Sequence, residues 1–427
     1  MNELKTTNAP HSSVVIPHFL FGGICFLLVA ILIILADTSL LEAYFNTKII
    51  AITHMAVLGW GTMIIFGALY QLIPVVFETS LYSEKLAKIT FWITAFSVLF
   101  LTYAFWKGAF STMLVYASAF MFLSLFLFIL NIVLSYLKSE NKTISSKFVI
   151  AAVFWLAITE LVGTLIAFNF KYNFLSEVHL HYLKIHASLG MIGWFLLLII
   201  GVGSTLIPMF LISHKLKKEK LNISFYFING GLLGLVLNWF LISNYAFTII
   251  CWVIIILGIF SFISFIYDSY KKRIRKKLDI GMKYTMLAIA SIIVPIIISV
   301  LLLVAFNIKY ELLLRATTFY GFSIIFGFIT TMILGQTYKT LPFIVWLDKY
   351  QNLVGKKKTP LPRELYSEKI AKAQFYCYLL FIVAISLGLI LNNLQLISIG
   401  SYSLLIVAIL YNLNILKIIF HKIKDHE

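Results

Sequence analysis

The sequence predicts an all-α integral membrane protein of about twelve transmembrane helices, in three pseudo-repeated units of four around an axis along the membrane normal. Three observations carry that reading. The first is composition: of 427 residues, 61% are hydrophobic and only 12% charged, where soluble domains are about half apolar and about a quarter charged. The second is a set of twelve apolar runs, each near the roughly 20 residues a helix needs to cross the hydrocarbon core. The third is a pattern of glycine, tryptophan and proline that recurs at one constant offset. The short alternating segments of a closed barrel are absent, so the spans are helices.

Span 1 covers 14–36 and opens on His18 in "IPHFLFGG". Span 2, 49–77, is one long apolar stretch with His54 near its start and no charge until Glu78. Spans 3 and 4 cover 89–106 and 112–136. Span 5, 148–169, holds Glu160, the one acid in the middle of a span. Span 6, 185–212, follows the histidine-rich "SEVHLHYLKIH" and begins with His186. Spans 7, 8 and 9 cover 222–242, 245–267 and 284–306. Span 10, 316–345, follows Arg315, and spans 11 and 12 cover 373–391 and 395–416. Residues 1–13 and 420–427 read as tails and 14–419 as one membrane domain, with repeat units 14–136, 148–268 and 281–419.

The net charge of +17 is concentrated in alternate loops, above all "KKRIRKK" at 271–277. That is the positive-inside pattern, and it places both termini in the cytoplasm of a bacterial cell. The basic run reads as a topology signal and lipid-headgroup contact rather than a nucleic-acid patch. Cys25, Cys251 and Cys377 fall in three separate spans and form neither a metal spacing nor a disulfide framework.

The repeat is read from "GALYQLIP" at 67–74, "GVGSTLIP" at 201–208 and "GQTYKTLP" at 335–342. Pro74, Pro208 and Pro342 stand at a constant offset of 134 residues. Gly67, Gly201 and Gly335 share it, as do Gly59, Gly193 and Gly327. Small residues let membrane helices approach closely, which is what such positions mark. "LYSEKLAKITFW" at 81–92 is echoed by "LYSEKIAKAQFY" at 365–376, at a larger offset, so the loop after span 10 is the longer one.

Four histidines fall toward the other face: His54, His179, His181 and His186. An ionisable residue inside a span is a functional hypothesis by default, and imidazole ligates haem and copper. The alternative for His54 is a hydrogen bond to a backbone carbonyl of a neighbouring helix. His179 and His181 read as residues of an outer loop, and His18 as an anchor at the membrane interface in preference to a residue that binds a group there. His11, His214, His421 and His426 read as solvated.

These residues resemble a family. "HMAVLGWGTMIIFGALYQLIPVVFE" looks like the second span of the nitric oxide reductase large subunit and of cbb3-type oxidases, and "HLHYLKIHASLGMIGW" looks like other histidine-rich spans of those enzymes. The chain thus resembles a divergent member of the haem-copper oxidase subunit I superfamily, and in length and span count the NnrS-like membrane proteins of nitric oxide metabolism. The resemblance implies that His54 is an axial ligand of haem b; its trans partner stays open, with His186 as the candidate, and Arg315 and Lys184 stand either on the propionates or against lipid headgroups. It also offers a proton-relay role for Glu160, beside the reading of a neutral, hydrogen-bonded glutamic acid. Copper held by His54, His186, His179 and His181 is the alternative cofactor.

Two departures limit the resemblance. Span 10, "ATTFYGFSIIFG", has Tyr320 and Phe322 where the oxidases carry a His-x-His pair, and span 7, "NISFYFINGGLLGLVLNWFLI", lacks their adjacent histidines. No full binuclear centre can be assembled, so the expectation leans away from an enzyme and from a proton-pumping oxidase. The roles left are electron transfer or a response to nitric oxide or oxygen, beside other respiratory-chain subunits or a small redox protein. A transporter or metal-handling permease, and a cofactor-free accessory subunit, stay open as other readings.

Overall fold

The computed structural model describes residues 9–304 and 309–422. Most of both predicted tails, and with them His426, lies outside the described residues. Among the described residues, twelve helices are long and apolar enough to cross a membrane, and they follow the twelve apolar runs in order. They are α1 Ser12–Leu41, α2 Thr47–Val76, α3 Glu84–Trp106, α4 Thr112–Leu137, α5 Ile144–Tyr172 and α6 His179–Leu211. Then come α7 Glu219–Ile242, α8 Tyr245–Lys271, α9 Ile280–Val304, α10 Tyr310–Leu353, α11 Glu368–Leu391 and α12 Leu394–Ile419. No strand occurs among the described residues. The chain is an all-α integral membrane protein.

Several helices start with a side-chain cap. Asn46 accepts from Lys48 N–H before α2, Thr143 from Ser146 before α5, and Asp279 from Met282 before α9. Each oxygen satisfies one of the amide donors that a helix start leaves without an intrahelical partner. The helices outrun their apolar cores. At 1.5 Å per residue, the 33 residues of α6 span about 50 Å and the 44 of α10 about 66 Å, against a hydrocarbon core of about 30 Å. A helix satisfies its own backbone, so polar turns beyond the hydrocarbon stay helical. His179, His181, Lys184 and Arg315 therefore lie in the opening turns of α6 and α10 rather than in loops.

The described residues form two compact units. One is built on Leu72–Ile93 and Phe110–Lys277, the other on Pro10–Gln71, Thr94–Ala109 and the described part of Leu278–Glu427. In the second, Trp60 is fully buried, stacked on Phe26 at 4.4 Å and edge-on to Tyr411 at 5.0 Å. Its indole N–H donates to Thr330 Oγ1 at 3.3 Å. A hydroxyl and amide network completes that interior: Tyr338 donates to Gln374, Gln374 to Tyr284 and Asn414 to Tyr338.

The internal repeat has a structural counterpart. Three eight-residue π-helical segments interrupt α2, α6 and α10 at Met55–Thr62, Leu189–Leu196 and Ser323–Thr330. They stand at the same offset of 134 residues as the glycines and prolines. A fourth, Asn238–Ile242, ends α7 outside this pattern. The shared glycines are close-approach points. A Cβ on Gly67 would lie 2.7 Å from His18 Cβ, one on Gly201 2.7 Å from Phe148 Cβ, and one on Gly335 2.8 Å from Tyr284 Cβ. The first helix of each repeat thus meets the second at one matched glycine. The echo between 81–92 and 365–376 is likewise physical. Asn131 Oδ1 accepts from Ser83 N–H at 3.1 Å, and Asn414 Oδ1 accepts from Ser367 N–H at 2.9 Å.

Candidate functional site

His54 closes the α-helical first part of α2, and the π-helical segment begins at the next residue. Its Nδ1 lies 2.8 Å from the carbonyl of Ile50, one turn earlier, and its half-buried ring stacks on Phe105 with centroids 4.6 Å apart. A carbonyl oxygen only accepts, so Nδ1 donates. The neutral ring then carries its lone pair on Nε2. The backbone bond foreseen as the structural alternative is made within its own helix. It is also the bond by which a ligating histidine fixes its tautomer and ring orientation.

His186 reaches the same tautomer by another route. Its Nδ1 lies 2.9 Å from the carbonyl of Thr159 on α5. One turn along α5, Gly163 makes the space: a Cβ there would sit 2.6 Å from His186 Cε1 and 2.9 Å from Nδ1. The "TELVGT" stretch of α5 thus supplies an acceptor and a gap at i and i+4, on one helix face.

His179 is different. Its ring stacks on Phe170 at 4.1 Å, and its Nε2 lies 3.1 Å from Asn169 Nδ2. Asn169 Oδ1 already accepts from Phe174 and Leu175 N–H, at 2.7 and 2.8 Å. The amide nitrogen therefore faces the imidazole and donates, and His179 Nε2 is spent as an acceptor. This histidine ties the α5–α6 turn to α5. His181 meets Tyr182 edge-on at 5.3 Å, also in the opening turn of α6.

His18 is a correction. An interfacial anchor keeps its polar end wet, yet His18 is 0% exposed. Its Nδ1 lies 2.8 Å from the carbonyl of Val14, its ring meets Tyr70 edge-on at 5.5 Å, and Gly67 makes room for its Cβ. It is a third intramembrane histidine with its lone pair on Nε2. Gly67, which it touches, is 13 residues beyond His54, or about 20 Å along α2. The two histidines therefore stand at separate levels. The signal that could have found His18 was the repeated glycine opposite it.

Glu160 is 7% exposed on α5, between Thr159 and Gly163, and its Oε1 has no hydrogen-bond partner among the described residues. Arg315 is half-buried on α10, and Lys184 is exposed on α6. Lys339, on α10, pairs with Asp279 at 2.6 Å. The three cysteines are free, two of them buried, as expected of small apolar residues.

His54 belongs to the second unit, and His186, His179, His181 and Glu160 to the first. Among the described residues no group of three or more His, Cys, Asp or Glu side chains is placed to hold a metal ion. His54 and His186 are single imidazoles, each oriented through its Nδ1 bond to a backbone carbonyl. A single imidazole is a donor type that fits haem iron, which takes one or two protein ligands. No protein-family model matches the chain, and no curated protein matches it.

Proposed function

We propose that this chain is a divergent membrane protein of the haem-copper oxidase subunit I type, which binds haem b in the outer half of the bilayer. Its role on this reading is electron transfer, or a response to nitric oxide or oxygen, rather than turnover at a binuclear centre. His54 in one unit and His186 in the other are the two candidate Nε2 donors, each by itself. The observation that carries the reading is their shared geometry: in both, Nδ1 donates to a backbone carbonyl, at 2.8 and 2.9 Å. Such a bond raises ligand basicity and orients the ring, and it accompanies most ligating histidines.

Haem would supply a one-electron couple or a site for a diatomic ligand. The chain's part is to hold the imidazoles. Ile50 and Phe105 fix the ring of His54, and Thr159 and Gly163 fix that of His186. Copper is the weaker choice, because no three-ligand cluster is built among the described residues.

The test is an optical spectrum of purified, dithionite-reduced protein with a pyridine haemochrome count, for the parent, His54→Ala, His186→Ala and His179→Ala. The expected result is haem in the parent and in His179→Ala, and loss or a shifted spectrum in the other two. A parent free of haem after production with ample haem supply would overturn the reading.

One observation favours a second reading, a proton- or metal-coupled transporter. A carboxyl buried in a span marks substrate and proton paths in membrane proteins, and Glu160 is such a group, its Oε1 without a hydrogen-bond partner among the described residues. Metal- or proton-coupled uptake into proteoliposomes, lost in Glu160→Ala, would favour it over the haem reading.

A further inference from the structure

We infer that the turn after α6 and the turn after α8 form one composite binding site for an anionic glycerophospholipid. The two turns are joined by backbone. Ile274 N–H donates to Ile212 O at 3.3 Å and Arg275 N–H to Leu211 O at 3.4 Å. Lys272 Nζ donates to Lys215 O at 2.8 Å, and the Ser213 and Ser269 hydroxyls are 2.6 Å apart. Segments distant in sequence thus become one surface.

Its charge is one-sided. "HKLKKEK" at 214–220 and "KKRIRKK" at 271–277 together carry ten lysines and arginines and one acid, Glu219. Lys220 is matched by Asp268 at 2.6 Å. Arg273 is set in place before any ligand arrives. Its guanidinium lies over the Tyr270 ring at 3.7 Å, and Nη1 donates to Tyr270 O at 2.6 Å. Its buried Nε has no hydrogen-bond partner among the described residues.

A second feature selects the ligand. The joined backbone sets Ile274, 63% exposed, beside Ile212, 46% exposed, and both belong to the two basic turns. A soluble polyanion has no use for exposed isoleucines. A lipid uses both parts, with its phosphate on the cations and its glycerol and first acyl carbons on the isoleucines, as in interfacial segments generally. One built site goes beyond the diffuse headgroup contact that any basic loop makes.

The experiment uses the full chain in neutral detergent, titrated with phosphatidylglycerol or phosphatidylcholine and read by thermal midpoint and by bound-lipid count in native mass spectrometry. The variants are Arg273→Gln/Arg275→Gln, Lys276→Gln/Lys277→Gln, which leaves the Tyr270 stack and the joined backbone intact, and Ile274→Ser. A charge control is Lys356→Gln/Lys357→Gln in the loop after α10. Phosphatidylglycerol should raise the midpoint and phosphatidylcholine should not. Both cation variants should weaken phosphatidylglycerol binding about thirtyfold, in line with the loss of two cations near an anionic surface. Ile274→Ser should also weaken it, and the control should leave it unchanged. Equal loss in the control would overturn the site in favour of bulk charge. Unchanged binding in Ile274→Ser, with a single-stranded oligonucleotide bound as tightly as the lipid, would overturn it in favour of a polyanion surface.

Discussion

Nδ1 of His186 donates across the helix pair to the backbone carbonyl of Thr159, 2.9 Å away, while Gly163 one turn on leaves the ring its space. Gly163→Ala should therefore displace the imidazole without touching any polar group. A forced methyl in a packed interior costs about 1–3 kcal/mol. The expected outcome is a folded protein with a lower thermal midpoint and, on the haem reading, a haem-to-protein ratio reduced as in His186→Ala. An unchanged ratio in a haem-bearing parent would mean that His186 does not ligate.

The glycines of the repeat give a graded stability test. A Cβ on Gly201 would lie 2.7 Å from Phe148 Cβ and 3.2 Å from the Ser145 carbonyl, whereas one on Gly230 meets nothing within 4 Å. Gly201→Ala should destabilise by about 1–3 kcal/mol. Gly230→Ala, in the same unit and also helical, should stabilise by about 0.5–1 kcal/mol through helix propensity alone. Thermal midpoints in one detergent decide it, and equal shifts would contradict the close approach.

Asn169 separates a structural histidine from a ligating one. Its amide holds His179 and the backbone of Phe174 and Leu175. Asn169→Ala should cost about 1–3 kcal/mol, the penalty of leaving partners unmet, with the cofactor spectrum unaltered. Proteolytic nicking after α5 should rise. A changed haem spectrum would instead draw His179 into the site.

The Lys339–Asp279 pair joins α10 to the start of α9, and Asp279 also caps α9 through Met282 N–H at 3.0 Å. Asp279→Ala removes both and should lower stability by about 2–4 kcal/mol, the cap and the stranded lysine together. Asp279→Asn keeps the cap and should recover about 1 kcal/mol of this. Denaturation of the two variants side by side measures the division.

The twelve spans were legible because hydropathy reports burial in lipid regardless of which neighbours a helix meets. The offset of 134 residues was legible for a related reason, since Gly67, Gly201 and Gly335 each admit a backbone at van der Waals distance and tolerate little else. Helix ends were not legible from apolar content, and His179, His181 and Arg315 moved into helices as a result. The burial of His18 depends on which face of α1 meets α2, and the only trace of that face was the glycine opposite. The role of His179 is decided by Asn169, ten residues earlier, through a contact that no periodicity encodes. The π-helical register was not legible although Gly59, Gly193 and Gly327 stand inside the three segments, because a repeated glycine marks close approach and not the pitch of the turn around it.

Those three segments also set what the repeat holds in common and what it does not. A π-helical stretch is wider than the α-helix around it, and such bulges cluster at functional sites. The segments begin at Met55, Leu189 and Ser323, in step with the glycines and prolines, so the widened turn belongs to the repeated pattern and not to one helix. Only His54 puts an imidazole at its edge, since Ser188 and Phe322 hold the matching positions, so whatever chemistry the widened turn serves has one ligand-bearing copy and two without.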